Sequence, residues 1–170
     1  MKAIAAGLIL MACSGMGFVL ASSYTQRVYH LRELIRLMQV LESEIQFSRT
    51  TLPTFLAVQA PLFRGVVGRF LTALSQGLQA GTGESFAALW QQALGILADN
   101  GLPPDVLEDL HFCGAALGRS DAAEQSKQIQ QLLIRLERAL AAAEQERDQH
   151  VRLWQYLGVA AGLFLVLLLI

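Results

Sequence analysis

No charged residue occurs between Trp154 and Ile170, where the chain reads Trp-Gln-Tyr-Leu-Gly-Val-Ala-Ala-Gly-Leu-Phe-Leu-Val-Leu-Leu-Leu-Ile. Wound as an α-helix at ~1.5 Å per residue, this run extends about 26 Å, close to the ~30 Å hydrocarbon thickness of a bilayer. The opposite end is its counterpart. From Ala3 to Ala21 the chain is again uncharged and mostly apolar, with Lys2 alone ahead of it. Apolar ends around a polar middle predict a protein tethered twice to one membrane.

Each end has a competing reading. Val19-Leu20-Ala21 resembles a signal-peptidase site, and Leu10-Met11-Ala12-Cys13 faintly resembles a lipoprotein box. Against the lipoprotein box, Met16, Phe18, Val19 and Leu20 carry the apolar run past Cys13. Against cleavage after Ala21, no polar stretch separates it from a long helical pattern. An uncleaved span over 1–23 is therefore favoured, with a cleaved signal peptide as its alternative. For 153–170 the alternative to a span is a buried core helix, and Trp154 and Tyr156 suit the aromatic belt of a membrane interface.

Setting both ends aside leaves about 130 residues, enough for one domain with a core of its own. The net charge of −1 supplies no basic field for nucleic acid. Two cysteines cannot make a disulfide framework, and Cys113 reads as a small buried hydrophobe. Arg27, Arg32 and Arg36 follow the first apolar segment, while Arg138, Arg147 and Arg152 precede the second. The positive-inside rule then places residues 24–152 in the cytoplasm and both termini across the membrane.

The middle carries a helical period throughout. Leu31, Leu34, Met38, Leu41 and Ile45 recur at three- and four-residue steps, one face of an amphipathic helix running from about Tyr24 to Phe47. Pro53 is expected to close that stretch, because it disfavours helical geometry at Leu52. Shorter helices are expected near Thr54–Ala60 and Leu62–Gln79, split by Pro61, and then over Phe86–Ala98 after the Gly81-Thr82-Gly83 break. Asn100-Gly101-Leu102-Pro103-Pro104 reads as a loop. Asp105, Glu108 and Asp109 then fall in a first helical turn, where carboxylates complement the helix dipole. A last helix shows Ile129, Leu132, Leu136, Leu140 and Ala143 on one face and runs on through Val151. The fold class is all-α, a cytoplasmic bundle of about five or six helices flanked by N- and C-terminal transmembrane helices. Its core is expected to include Leu34, Met38, Leu41, Ile45, Phe70, Leu74, Trp90, Leu94, Leu110, Leu117, Leu132 and Leu136.

Reactive chemistry is not legible. Gly81-Thr82-Gly83 lacks the Lys-Ser/Thr that engages phosphates, so it reads as a turn. His30, His111 and His150 lie far apart, and His111 and Cys113 would point away from each other on one helix. No catalytic group, cofactor or metal is expected. On the second span Gly158 and Gly162 make a small-xxx-small pair that lets another helix approach, and Cys13, Gly17 and Ala21 repeat that spacing on the first.

Several segments together resemble one family. Leu41-Glu42-Ser43-Glu44-Ile45-Gln46-Phe47 with Leu52-Pro53 resembles its Leu-x-x-Glu-Ile-x-aromatic segment followed by Thr-Pro-Leu. Phe86-Ala-Ala-Leu-Trp90 stands where a family tryptophan follows a glycine turn. Phe112-Cys-Gly114-Ala-Ala-Leu117-Gly118-Arg-Ser-Asp121 with Gln125 resembles its signature Phe-Gly-x-x-Leu-Gly-x-x-Asp-x-x-x-Gln, and Leu157–Leu163 resembles its terminal span. The chain thus resembles the stage III sporulation protein AB family over nearly its whole length. It departs at Cys113, which separates Phe112 from Gly114, and at Thr51, which stands where the family has proline.

The resemblance implies a non-enzymatic membrane platform, similar to the cytoplasmic domains of type II secretion protein F and of type IV pilus platform proteins. It further implies the mother-cell membrane around the forespore, a channel supporting forespore development, and a motor ATPase partner like stage III sporulation protein AA. Other membrane subunits, the lipid bilayer and a homo-oligomer complete the expected partners; nucleic acid is not among them. Partner contact is expected at Glu44, Gly118, Arg119, Asp121 and Gln125. The alternative there is purely architectural, with Gly118 closing one helix and Asp121 capping the next. For the whole chain, the alternative is a membrane-tethered helical adaptor or sensor that binds a regulator.

Overall fold

The computed structural model describes the backbone of residues 2–48, 50–81, 83–117 and 122–169, and side chains over 23–47, 50–81, 83–117, 123–150 and Leu153. Among the described residues the chain is all-helical: α1 (Lys2–Ser43), α2 (Leu52–Gln59), α3 (Gly65–Gln79), α4 (Phe86–Ala98), α5 (Pro104–Ala116) and α6 (Ala122–Leu169). It divides into two compact units, Met1–Val28 with Ala141–Ile170, and Tyr29–Leu140.

In the Tyr29–Leu140 unit, α1 buries Leu31, Leu34, Leu37, Met38 and Leu41 along the predicted stripe. The helix then widens into a π-helical turn, Glu44–Ser48. A π turn bonds i to i+5, so positions beyond it rotate off the α-helical repeat. Ile45 is accordingly half-buried rather than part of the core, a correction to the periodicity reading. The helical run ends at Ser48, before Pro53 as expected, but Leu52 already belongs to the next helix. Pro53 sits in the first turn of α2, where a missing N–H leaves no intrahelical bond unmade. Pro61 lies in a 3-10 turn, Ala60–Leu62, which swings the chain into α3.

The corner between α2 and α3 is tight. Gly65 opens α3 at φ +65°, a left-handed value that favours glycine. The corner rests on α1: the Arg36 guanidinium lies 5.1 Å from the centre of the Phe63 ring, and a Cβ at Gly65 would stand 3.8 Å from Cε1 of Tyr29. Helix α3 turns Val66, Val67, Phe70, Leu71 and Leu74 inward. Helix α4 begins at Ser85, whose hydroxyl accepts from the Ala88 N–H at 3.3 Å. It delivers Leu89, Trp90, Leu94 and Leu97 to the same core. Helix α5 starts on Pro104 and buries Val106, Leu110 and Cys113. From α6 come Ile129, Leu132, Leu133 and Leu136. The Phe70 and Trp90 rings meet edge to face, with centroids 5.0 Å apart.

The second unit joins the starting portion of α1 to the far portion of α6. Arg27 Nη1 donates to Glu146 Oε2 at 3.1 Å, and the rings of Tyr24 and His150 stack at 4.4 Å. Val28 and Ala143 are buried. Among the described residues no helix is long and apolar enough to cross a membrane. The segments expected to span, with the Gly158 and Gly162 pair, lie where side chains fall outside the described residues.

Candidate functional site

Of the expected contact residues, Glu44 and Gln125 are described, one just past the end of α1 and the other near the start of α6. Glu44 opens the π turn, half-buried, and its Oε2 accepts from the Thr50 hydroxyl at 2.7 Å. Gly118, Arg119 and Asp121 lie outside the described residues. Gln125 is half-buried on α6 and engaged in an interaction there.

Beside them lies a polar lattice that the sequence reading did not single out. Gln46 donates to the Ser126 hydroxyl at 2.7 Å and to Glu42 Oε1 at 3.3 Å. Gln130 donates to the same Glu42 oxygen at 2.6 Å. One carboxylate thus gathers amides from two helices, with Ser126 buried beneath. The signal was available: Glu42 with Gln46, and Ser126 with Gln130, are each four apart and so share a helix face. The end of α1 is thereby fastened to the start of α6, and Phe47 projects outward at 80% exposure. Ile45, Gln46, Phe47, Ala123 and Ser126 line a shallow cavity of about 430 Å³.

A second groove, about 460 Å³, runs between α5 and α6 past Phe112, Cys113, Gln128 and Gln131. Asp109 and Arg135 pair across it. Asp109 was expected to serve the helix dipole with Asp105 and Glu108; it instead ties α5 to α6, while Asp105 keeps the first-turn place. Phe112 stands exposed at its rim. Burial pushes the Cys113 thiol up to about 12, so at neutral pH it is a neutral packing group. Among the described residues no cluster of three or more His, Cys, Asp and Glu side chains could hold a metal ion. Amides, hydroxyls, one shared carboxylate and two exposed aromatic rings make this region suited to recognising another macromolecule.

The sequence comparisons decide the family. Residues 2–170 match the family described as Stage III sporulation protein AB (spore_III_AB). The chain belongs to the stage III sporulation protein AB family. It is 34% identical over 170 residues to "Stage III sporulation protein AB" of Bacillus subtilis (strain 168), covering 99% of both chains. A solved structure, "Stage III sporulation protein AB (SpoIIIAB)", superposes with a TM-score of 0.67 at 31% identity, over 73% of this chain and 98% of that one. A role in sporulation follows from that membership. Gly114 on α5 and Trp90 on α4 are in direct apposition. The Cys113 that interrupts the family's Phe-Gly pair is turned inward and Phe112 outward.

Proposed function

We propose that the chain is a non-enzymatic membrane platform or channel subunit of a secretion-like sporulation complex, with its 24–152 portion in the cytoplasm. It takes up the action of a motor ATPase, of the stage III sporulation protein AA kind, and passes it to membrane subunits around the forespore. The observation that carries this reading is the continuity of α1 and α6. The helices that supply core residues to the Tyr29–Leu140 unit are the same two that run, without a break, into the uncharged ends of the sequence. A force applied to the bundle therefore has a continuous covalent, helical route into whatever holds those ends. The arginine clusters beside both uncharged segments support the cytoplasmic side. The lattice around Glu42, with Phe47 exposed next to it, supports a docking face.

Crosslinking in sporulating cells, followed by identification of the captured proteins, tests this. Recovery of a motor ATPase together with other membrane proteins is the expected result. Recovery of a soluble regulator without an ATPase would favour a membrane-tethered adaptor.

A further inference from the structure

From Leu52 to Phe63 there is no charged residue, although much of this stretch faces outward. Phe55, Leu56 and Phe63 are buried. The outward positions Ala57, Val58, Pro61 and Leu62 are spaced as neighbours on one helical face, and all four are apolar and exposed. Val58 is 56% exposed and Leu62 59%. Tyr29, 47% exposed, continues this face on α1 where its ring meets Gly65. Exposed cations border it: Arg64 directly after the stretch, and Arg36 reaching over Phe63. Glu33, mostly covered, pairs with Arg36 at 3.9 Å.

An exposed apolar strip rimmed by arginines, with a tyrosine at its edge, has the composition of an interfacial lipid-binding element. Its covalent position favours lipid over protein. Tyr29 follows residue 23, the inner end of the proposed first span, by six residues of unbroken α-helix, a rise of about 9 Å. We infer that the α2–α3 corner, through Val58, Pro61, Leu62 and Tyr29, lies on the cytoplasmic lipid surface with Arg36 and Arg64 against anionic headgroups. This rests on the membrane-tethered reading above. The bundle would then touch the bilayer at a third place besides its two proposed spans.

The full-length chain, with Cys13→Ala and the buried Cys113 left in place, is reconstituted into vesicles of phosphatidylcholine and phosphatidylglycerol. Single cysteines carry an environment-sensitive fluorophore at Val19→Cys, Leu62→Cys or Glu108→Cys, the last an exposed site on α5. Position 62 is expected to show blue-shifted emission and loss of intensity with lipid-borne quenchers, as position 19 does, and position 108 neither. A probe at 62 that stays in water while 19 is quenched overturns the surface contact alone, and is the result if this face binds a protein. An unquenched probe at 19 overturns the tether and the contact with it. Equal quenching at 62 and 108 means general adhesion, and also overturns the proposal.

Discussion

The ring of Trp90 fills the space that any side chain at residue 114 would need. A Cβ built on Gly114 would stand 2.1 Å from Cδ1 of the indole, and the indole N–H donates to the Leu110 carbonyl at 2.8 Å. Glycine on α5 and tryptophan on α4 are thus one packing unit, and the close approach is what lets the hydrogen bond form.

Gly114→Ala is expected to destabilise the chain by about 3 kcal/mol, the upper part of the overpacking range, because the indole must leave both its bed and its acceptor. Trp90→Ala removes a buried aromatic and costs about 3–5 kcal/mol. In the double variant the costs should fall well short of additive, since alanine at 90 frees the space that alanine at 114 needs. Denaturant melts of the detergent-solubilised chain, followed by circular dichroism, measure all three. Full additivity would contradict the contact.

His30 predicts a pH dependence. Burial lowers its pKa below the ordinary 6.5; a hydrogen bond with the Asn100 backbone works the other way, and the Arg69 cation adds to the lowering. Its Nδ1 is buried without a partner. The unfolded chain therefore takes up a proton near pH 6.5 that the folded chain resists. Stability is fully present above that pH and is lost progressively as pH falls below it. The melting midpoint at pH 5.5 should lie below that at pH 7.5, and His30→Leu should shrink the difference.

The Gln46–Ser126 bond links the π turn to α6. Ser126→Ala and Gln46→Ala should each cost about 0.5–1.5 kcal/mol, with a coupling of about 1 kcal/mol in a double-mutant cycle. A coupling of zero would mean that the bond contributes nothing to holding the two helices together.

Cys113 should resist alkylation. With its thiol pushed up to about 12 and its side chain buried, an impermeant maleimide at pH 8 is expected to react only after denaturation. Labelling of the native chain at the rate of a free thiol would show that the α5–α6 groove opens.

Topology is checked by cysteines placed at exposed Glu108 and Gln145. In intact cells both should be shielded from an impermeant reagent and become reactive on lysis. Ready labelling in intact cells would move the 24–152 portion out of the cytoplasm.

The core was legible because apolar residues at helical spacing have few ways to be buried. Leu34, Met38, Leu41, Phe70, Trp90 and Leu136 all lie inside as the pattern required. Ile45 did not follow, since one wider turn shifts the phase of every later position and leaves no mark in hydrophobic spacing. Pro53 and Pro61 do mark the two expected breaks, after Ser48 and between α2 and α3, with Pro53 in the first turn of α2 and Pro61 in a 3-10 corner. At the candidate site, Glu44 and Gln125 were visible through the family pattern. Of the Glu42–Gln46–Ser126–Gln130 lattice only the two i, i+4 halves could be seen in sequence, because their joining pairs positions 88 apart.

The pairing of Arg27 with Glu146 also sets an order of events during synthesis. Its partners are 119 positions apart, and those of the Tyr24–His150 stack are 126 apart. Neither contact can form until the ribosome has made nearly the whole chain, whereas everything from Tyr29 to Leu140 is available earlier. At ~5–20 residues per second the interval lasts several seconds. During it, the first span proposed above would meet the membrane without its helical companion. In the proposed tethered topology the nascent chain is then a single-anchored intermediate, and the Arg27–Glu146 and Tyr24–His150 contacts are the last to form.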